Sequence, residues 1–600
     1  MRRFGSGAAV AMALLAMACA KEGTVVKTGD GGGGVAVEAK AFLDGYNARR
    51  LELDRTAAET YWKAANSGRK EDFEVAAAAD LASRTYHSDH AMFQTIRRLL
   101  QSADRLDPVT ARSLQVAKLA FEENQLPADV LQELVSKSSQ IEQVFNTYRA
   151  TLDGHASTNN ELLEALEHEK ASPRRQAIWE ALKQVGAQVG PLLVDLAHVR
   201  NRAAVTLGYA NYWEMKIRMQ EHDPALLVAL FDRLQKETDA PFAAMKARLD
   251  AEIGSRLGVA PKAIMPWHYD NPFFQAAPPS PNVDPDAFYA DRKKEDIVAL
   301  AQKFYADIGL PMDSIIARSD YYDREGKDQH AFCIDVDHAG DVRMLLNIQP
   351  KAEWMDTMLH ESGHAVYAKY NDPALPYILR DSAHILTTEG VAMLFGALGR
   401  NPTWMVGYAG VDPAKADAAK AGLYEQRRRE QLIFARWAMV MFRFERALYE
   451  NPDRDLNTLW YDLVERLQLL KRPAGRDLPD WAAKPHFTIA PVYYHNYLMG
   501  ELFAAQLRAK LAGMSGHKGP LDRPESTPAA AGDCAGANPP LAASVLGRGT
   551  STLSFNGRKD FGKFLIDQVF RPGMRWGWPE FVRRATGIPL GPEAFAAEVQ

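Results

Sequence analysis

The residues of this chain best placed to do chemistry are His360-Glu361-Ser362-Gly363-His364. On a helix of 3.6 residues per turn, side chains four apart stand one above the other, so both imidazoles converge on one point. Two neutral imidazole nitrogens make half of a tetrahedral zinc shell. Glu361 lies beside them, in reach of a water at the remaining position. Taking a proton from that water as it attacks a carbonyl is the chemistry of a metallopeptidase. A third protein ligand has to follow downstream. Spacing ranks Glu389 first, then His384, then Asp381, with Asp372 also in range. Glu389 opens the apolar run Gly390–Phe395, which predicts a second helix facing the first.

Positioning such a site takes a scaffold, and the periodicity of this one is helical. Ala39, Leu43, Tyr46, Leu53, Ala57, Tyr61 and Ala64 recur at helical steps among charges. Similar patterns run through 162–185, 189–207, 225–257, 284–308, 353–370 and 456–470. Alternation is scarce. Its best instance is Gln329–Asp337 and Asp341–Gln349 around His338-Ala339-Gly340, a predicted hairpin. The expected fold class is therefore mainly α, with a short β-hairpin.

Composition narrows the class of function without naming it. Over 600 residues, Lys+Arg 71 against Asp+Glu 76 leaves a net charge of -5, which argues against a nucleic-acid binder. Three cysteines are too few for a disulfide framework. Cys333 and Cys534 could pair in an oxidising compartment, or stay as two thiols. Arg2 and Arg3 precede the apolar stretch Ala8–Ala18, too short to span a bilayer but suited to a secretory signal over residues 1–18. Ala16-Met17-Ala18-Cys19 resembles a bacterial lipoprotein box, which implies lipidation of Cys19. An ordinary secretory cut near Ala18 or Ala20 is the other reading. Residues 19–36, with four consecutive glycines, are expected to tether a domain over 37–600. Within it, 513–552 is dense in Gly, Pro, Ala and Ser and is expected to be a loop insertion.

Several blocks together are similar to the angiotensin-converting-enzyme-like peptidyl-dipeptidases. That family has H-E-M-G-H and a ligand Glu some two dozen residues later, matched here by His360, Glu361, His364 and Glu389. Its His-Ala strand and Asp-Phe-Arg-Ile segment match His330-Ala331 and Asp341-Val342-Arg343-Met344. Its K-F-H and Y-I-R-Y motifs resemble Lys484-Pro485-His486 and Tyr494-His495-Asn496-Tyr497. Val199-Arg200-Asn201 with Gly208–Tyr212, and Trp576–Gly587, are similar as well.

The resemblance implies two helical halves around a deep cleft, one zinc ion, and short flexible peptides as substrates. It makes Tyr497 and His486 the oxyanion donors and Glu361 the general base. Lys484 and Tyr494 become binders of the substrate C-terminus, and His330 and Ala331 pair with the substrate backbone. Three departures stand out. Tyr269 takes the place of the family's carboxylate-binding Gln, which puts strict dipeptide release in question. Asn496 replaces an Arg that helps bind an activating chloride. Met393 replaces an Asp that orients a ligand His, and Asp356, one turn before His360, is the expected substitute. The expected function is release of C-terminal dipeptides by an exported, envelope-tethered lipoprotein. The rivals are a related zinc oligopeptidase or carboxypeptidase and an inactive peptide-binding lipoprotein.

Overall fold

The computed structural model describes residues 32–515 and 554–600. The signal segment, Cys19, Cys534 and all of 513–552 beyond Ser515 lie outside the described residues. The fold is mainly α, with two small antiparallel hairpins. Helix α1 (Gly32–Ser67) begins ahead of the expected start at Val37 and buries Ala39, Leu43, Tyr46, Leu53 and Ala64. It pairs with α2 (Lys70–His87). Long helices α3 (Val185–Thr206) and α4 (Pro224–Leu257) follow, the latter started by an Asp223 cap and ended at Gly258 in the left-handed region. Of the six other helical patterns, 162–185 divides into Asn159–His168 and Ser172–Lys183, where Pro173 starts a new helix. The pattern over 284–308 shortens to Lys294–Asp307 behind a single 3-10 turn.

The first hairpin, β1 (Ala150–Leu152) and β2 (His155–Ser157), had no alternating signature, being only three residues a side. The expected one forms as β3 (Phe332–Asp335) and β4 (Val342–Leu345), shorter than predicted, with Phe332 opposite Leu345 and Asp335 opposite Val342. β3 and β4 pack on α5 (Ala352–Lys369), which carries the H-E-x-x-H residues. α6 (Ile385–Gly396), α7 (Pro413–Glu450) and α8 (His495–Met514) complete the central packing. One large apolar core runs through α3 to α8, and a smaller one joins Tyr46, Phe93 and Phe121 to Leu375–Leu379.

Candidate metal centre

Close helix crossings build this site. At the crossing of α5 and α6, a Cβ added to Gly363 would lie 2.9 Å from the Cα of Ala392. At the crossing of α6 and α8, one added to Gly500 would lie 3.0 Å from the Cβ of Glu389. Backbones this close leave no room for a side chain, and the result is that Glu389 is carried against the histidine pair. From below, Tyr305 donates to the Leu359 carbonyl at 2.7 Å, and the fully buried Ser362 hydroxyl reaches Met344 of β4 at 3.8 Å.

His360 Nε2 stands 3.2 Å from His364 Nε2 and 3.8 Å from Glu389 Oε2. One donor atom from each of the three falls within 4.8 Å of the others, the single such group among the described residues. The alternative third ligands are used elsewhere. His384 caps α6, accepting from Leu386 N at 3.1 Å and contacting the Gln220 carbonyl at 2.9 Å. Asp372 caps Ala374 N, and Asp381 accepts from Ser382 N.

Burial holds His364 down to about 4, and burial with the His364 charge holds His360 well below the usual imidazole range. Both rings are therefore neutral and present lone pairs. Glu361 is pushed up to about 8 by burial and by Glu389, and Glu389 to about 7 by burial and by Glu501. Two neutral imidazoles, one carboxylate and an adjacent carboxylate base fit a zinc ion with an open position. A divalent cation there would reverse the cost of ionising both carboxylates.

Asp356 does not orient His360. Its carboxylate turns to Arg400, at 2.7 Å from Nε, in a pair that also engages Glu430. Met393 packs at the α6–α8 contact, its Sδ 3.4 Å from where a Cβ on Gly500 would lie. The group that meets a ligand histidine is Thr388, whose Oγ1 is 2.6 Å from His364 Nδ1.

The segment 484–497 forms a second cluster. Lys484 is buried, its Nζ donating to Gln275 Oε1 at 2.5 Å and lying near the rings of Trp437, Phe273 and Tyr494. Burial lowers its ammonium to about 7. The Tyr494 hydroxyl accepts from Trp437 Nε1 at 2.8 Å, which leaves its own proton free to donate. The His486 ring packs 5.1 Å from that of Tyr494, and Tyr494 packs 5.6 Å from Tyr497. Burial, then Lys484, lowers His486 to about 3. Burial and the Glu389 charge raise both Tyr497 and its neighbour Tyr493, so both are protonated donors at neutral pH.

The expected contact from Tyr269 fails. The residue is 1% exposed, donating to Asp250 Oδ1 at 2.7 Å and accepting from Lys246. A phenol held by the half-buried Asp250 carboxylate stays in the core, and Gln275 supplies the amide beside Lys484 instead. His330 and Ala331 lie just before β3 rather than in it, with His330 N donating to Asp328 Oδ1 at 2.9 Å. Cys333 follows in β3 as a free, half-buried thiol, raised by burial and by the nearby Glu361 charge.

Remote residues clamp this segment. Arg200 donates to the carbonyls of Phe487 and Thr488 at 2.6 and 2.8 Å, and to the Tyr449 hydroxyl. Glu445 accepts from Val492 N at 2.8 Å, where Val492 holds a positive φ of 54°. Gln220 donates to the Val492 carbonyl and accepts from Asn496 at 2.7 Å. None of these partners is close in sequence, so only Arg200, inside a matching block, carried a signal beforehand.

A family model described as angiotensin-converting enzyme matches residues 35–256 and 264–534. No curated protein matches the chain.

Proposed function

The chain belongs to the angiotensin-converting enzyme family and is a zinc metallopeptidase, and from that premise we propose that it releases dipeptides from the free C-termini of short peptides. The observation that carries this reading is the buried Lys484, paired with the half-buried Gln275 beside Tyr494 and His486. An ammonium desolvated among aromatic rings gains most from an anionic partner, and a peptide C-terminus is the anion a peptidase meets.

His360, His364 and Glu389 would hold one ion per chain. Bound zinc supplies Lewis-acid polarisation and an acidified water. Glu361, kept ionised beside a bound cation, takes the water proton and passes it to the leaving amine. The Tyr497 hydroxyl and His486 donate to the oxygen on which negative charge develops. Lys484, with the Gln275 amide and the Tyr494 hydroxyl, holds the terminal carboxylate. His330 and Ala331, at the approach to β3, pair with the substrate backbone.

Amidated peptides test the end recognition. Matched substrates with free and amidated C-termini should differ at least tenfold in kcat/KM. Equal cleavage of both would favour a zinc oligopeptidase without dipeptide release. No cleavage, with stoichiometric zinc bound, would favour a peptide-binding lipoprotein.

The proposed location is the cell envelope, with residues 1–18 removed and Cys19 lipidated. The support is the basic, apolar and lipobox-like order of the first nineteen residues. Cys19→Ala should move the enzyme from the membrane to the soluble fraction.

A further inference from the structure

The geometry points to Thr388 as the residue that fixes the tautomer and ring orientation of His364 for zinc, and this rests on the zinc reading above. His364 Nε2 faces His360 Nε2 at 3.2 Å, so the metal-facing lone pair of His364 is on Nε2. The ring proton then resides on Nδ1, which stands 2.6 Å from Thr388 Oγ1. Nδ1–H donates and the hydroxyl oxygen accepts. A metal-bound histidine needs such an acceptor on its far nitrogen, and losing one weakens metal binding roughly 10- to 100-fold.

Neither Met393, where the family has an orienting Asp, nor Asp356, the expected substitute, fills this role. Met393 has no acceptor of comparable strength, and its sulfur packs toward Gly500. Asp356 is held by Arg400. Thr388 reaches His364 because of where it sits on α6. Its neighbour Thr387 is fully buried and turns its hydroxyl back to His384, donating to the carbonyl at 2.7 Å. Thr388, one residue on and about 100° around the helix, points across to α5. Glu389, the next residue, carries the ligand carboxylate, so one turn of α6 supplies both a ligand and the partner of another ligand.

A hydroxyl is a neutral acceptor and polarises the imidazole less than a carboxylate does. The zinc site is thus held by position more than by charge, and the hydroxyl should be indispensable where a methyl group of the same shape is not a substitute.

The test is zinc affinity of the full chain, read by competition with a chromophoric chelator, alongside the thermal midpoint of the metal-free protein. Thr388→Val keeps the shape and removes the acceptor. It should bind zinc at least tenfold more weakly, while the metal-free protein still melts cooperatively. Thr388→Ser restores the hydroxyl and should fall within threefold of the parent. If the valine variant does not fold, Thr388→Ala against Thr388→Ser reads the same contrast. Zinc binding by the valine or alanine variant equal to that of the serine variant and the parent overturns the inference. Failure of the parent itself to bind zinc would instead overturn the metal reading.

Discussion

Lys484→Met should stabilise the protein while impairing it. In the fold the ammonium titrates near 7 instead of its ordinary 10.5, through burial. The unfolded lysine is protonated throughout this range, so folding must expel a proton or bury a charge. At pH 7 that costs about 4 kcal/mol. The cost is largest below pH 7 and disappears as pH rises toward 10.5. Methionine removes it and loses a hydrogen bond to Gln275 and contacts with three rings, together worth about 3 kcal/mol. The net is a gain on the order of 1 kcal/mol at pH 7.

The functional effect runs the other way. Loss of a charge-assisted bond to the terminal carboxylate should raise KM roughly 10- to 100-fold with kcat little changed, because that bond is made equally in the ground and transition states. In the parent enzyme, KM should climb above pH 7 as the free ammonium deprotonates, and the variant should lack this limb. Thermal melts from pH 6 to 10 and Michaelis curves from pH 6 to 9 read both halves. A destabilised variant with parental KM, or a parental KM flat across that range, would refute the reasoning.

Glu361→Gln should retain zinc yet lose roughly 10²- to 10⁴-fold in kcat, measured beside metal content. Gly363→Ala forces a Cβ to 2.9 Å from the Cα of Ala392, so it should cost about 1–3 kcal/mol and weaken zinc binding, both visible in melts with and without metal. His338 ties the β3–β4 turn to the Arg380 carbonyl at 2.8 Å and to Asp335 at 3.3 Å. Burial pulls its proton affinity down, but Asp335 and Asp381 outweigh this and raise it to about 9. Its stabilisation is complete below the ordinary value of 6.5 and is lost as pH rises through 9. His338→Gln should therefore flatten melting between pH 7 and 9, and unchanged pH dependence would contradict the role.

The helical class and the β3–β4 hairpin were legible because both depend on short-range periodicity. The approach of His360, His364 and Glu389 was legible for a related reason: two ligands share one helix face and the third lies early in the next helix. What spacing could not supply was the partner of each group. Gln275 meets Lys484 across 209 residues from an irregular stretch with no periodic signal. Tyr269 matched by its distance from Trp267, yet Asp250 on α4 draws it into the core. Asp356 was placed correctly by turn, but the Arg400 guanidinium outcompetes a neutral imidazole for it. Thr388 gave no signal, since its partner His364 lies on another helix 24 residues away. The hairpin shortened where the His330 N–H turns to Asp328 rather than to a strand partner.

The proposed reaction is a zinc-dependent cut two residues from a free C-terminus. Mass spectrometry of products from a mixed pool of short peptides, with and without a chelator, tests it most directly. The expected products are free C-terminal dipeptides and peptides shortened by two residues, abolished by the chelator and restored by zinc. Single-residue losses, internal cuts, or products undiminished by the chelator would contradict it.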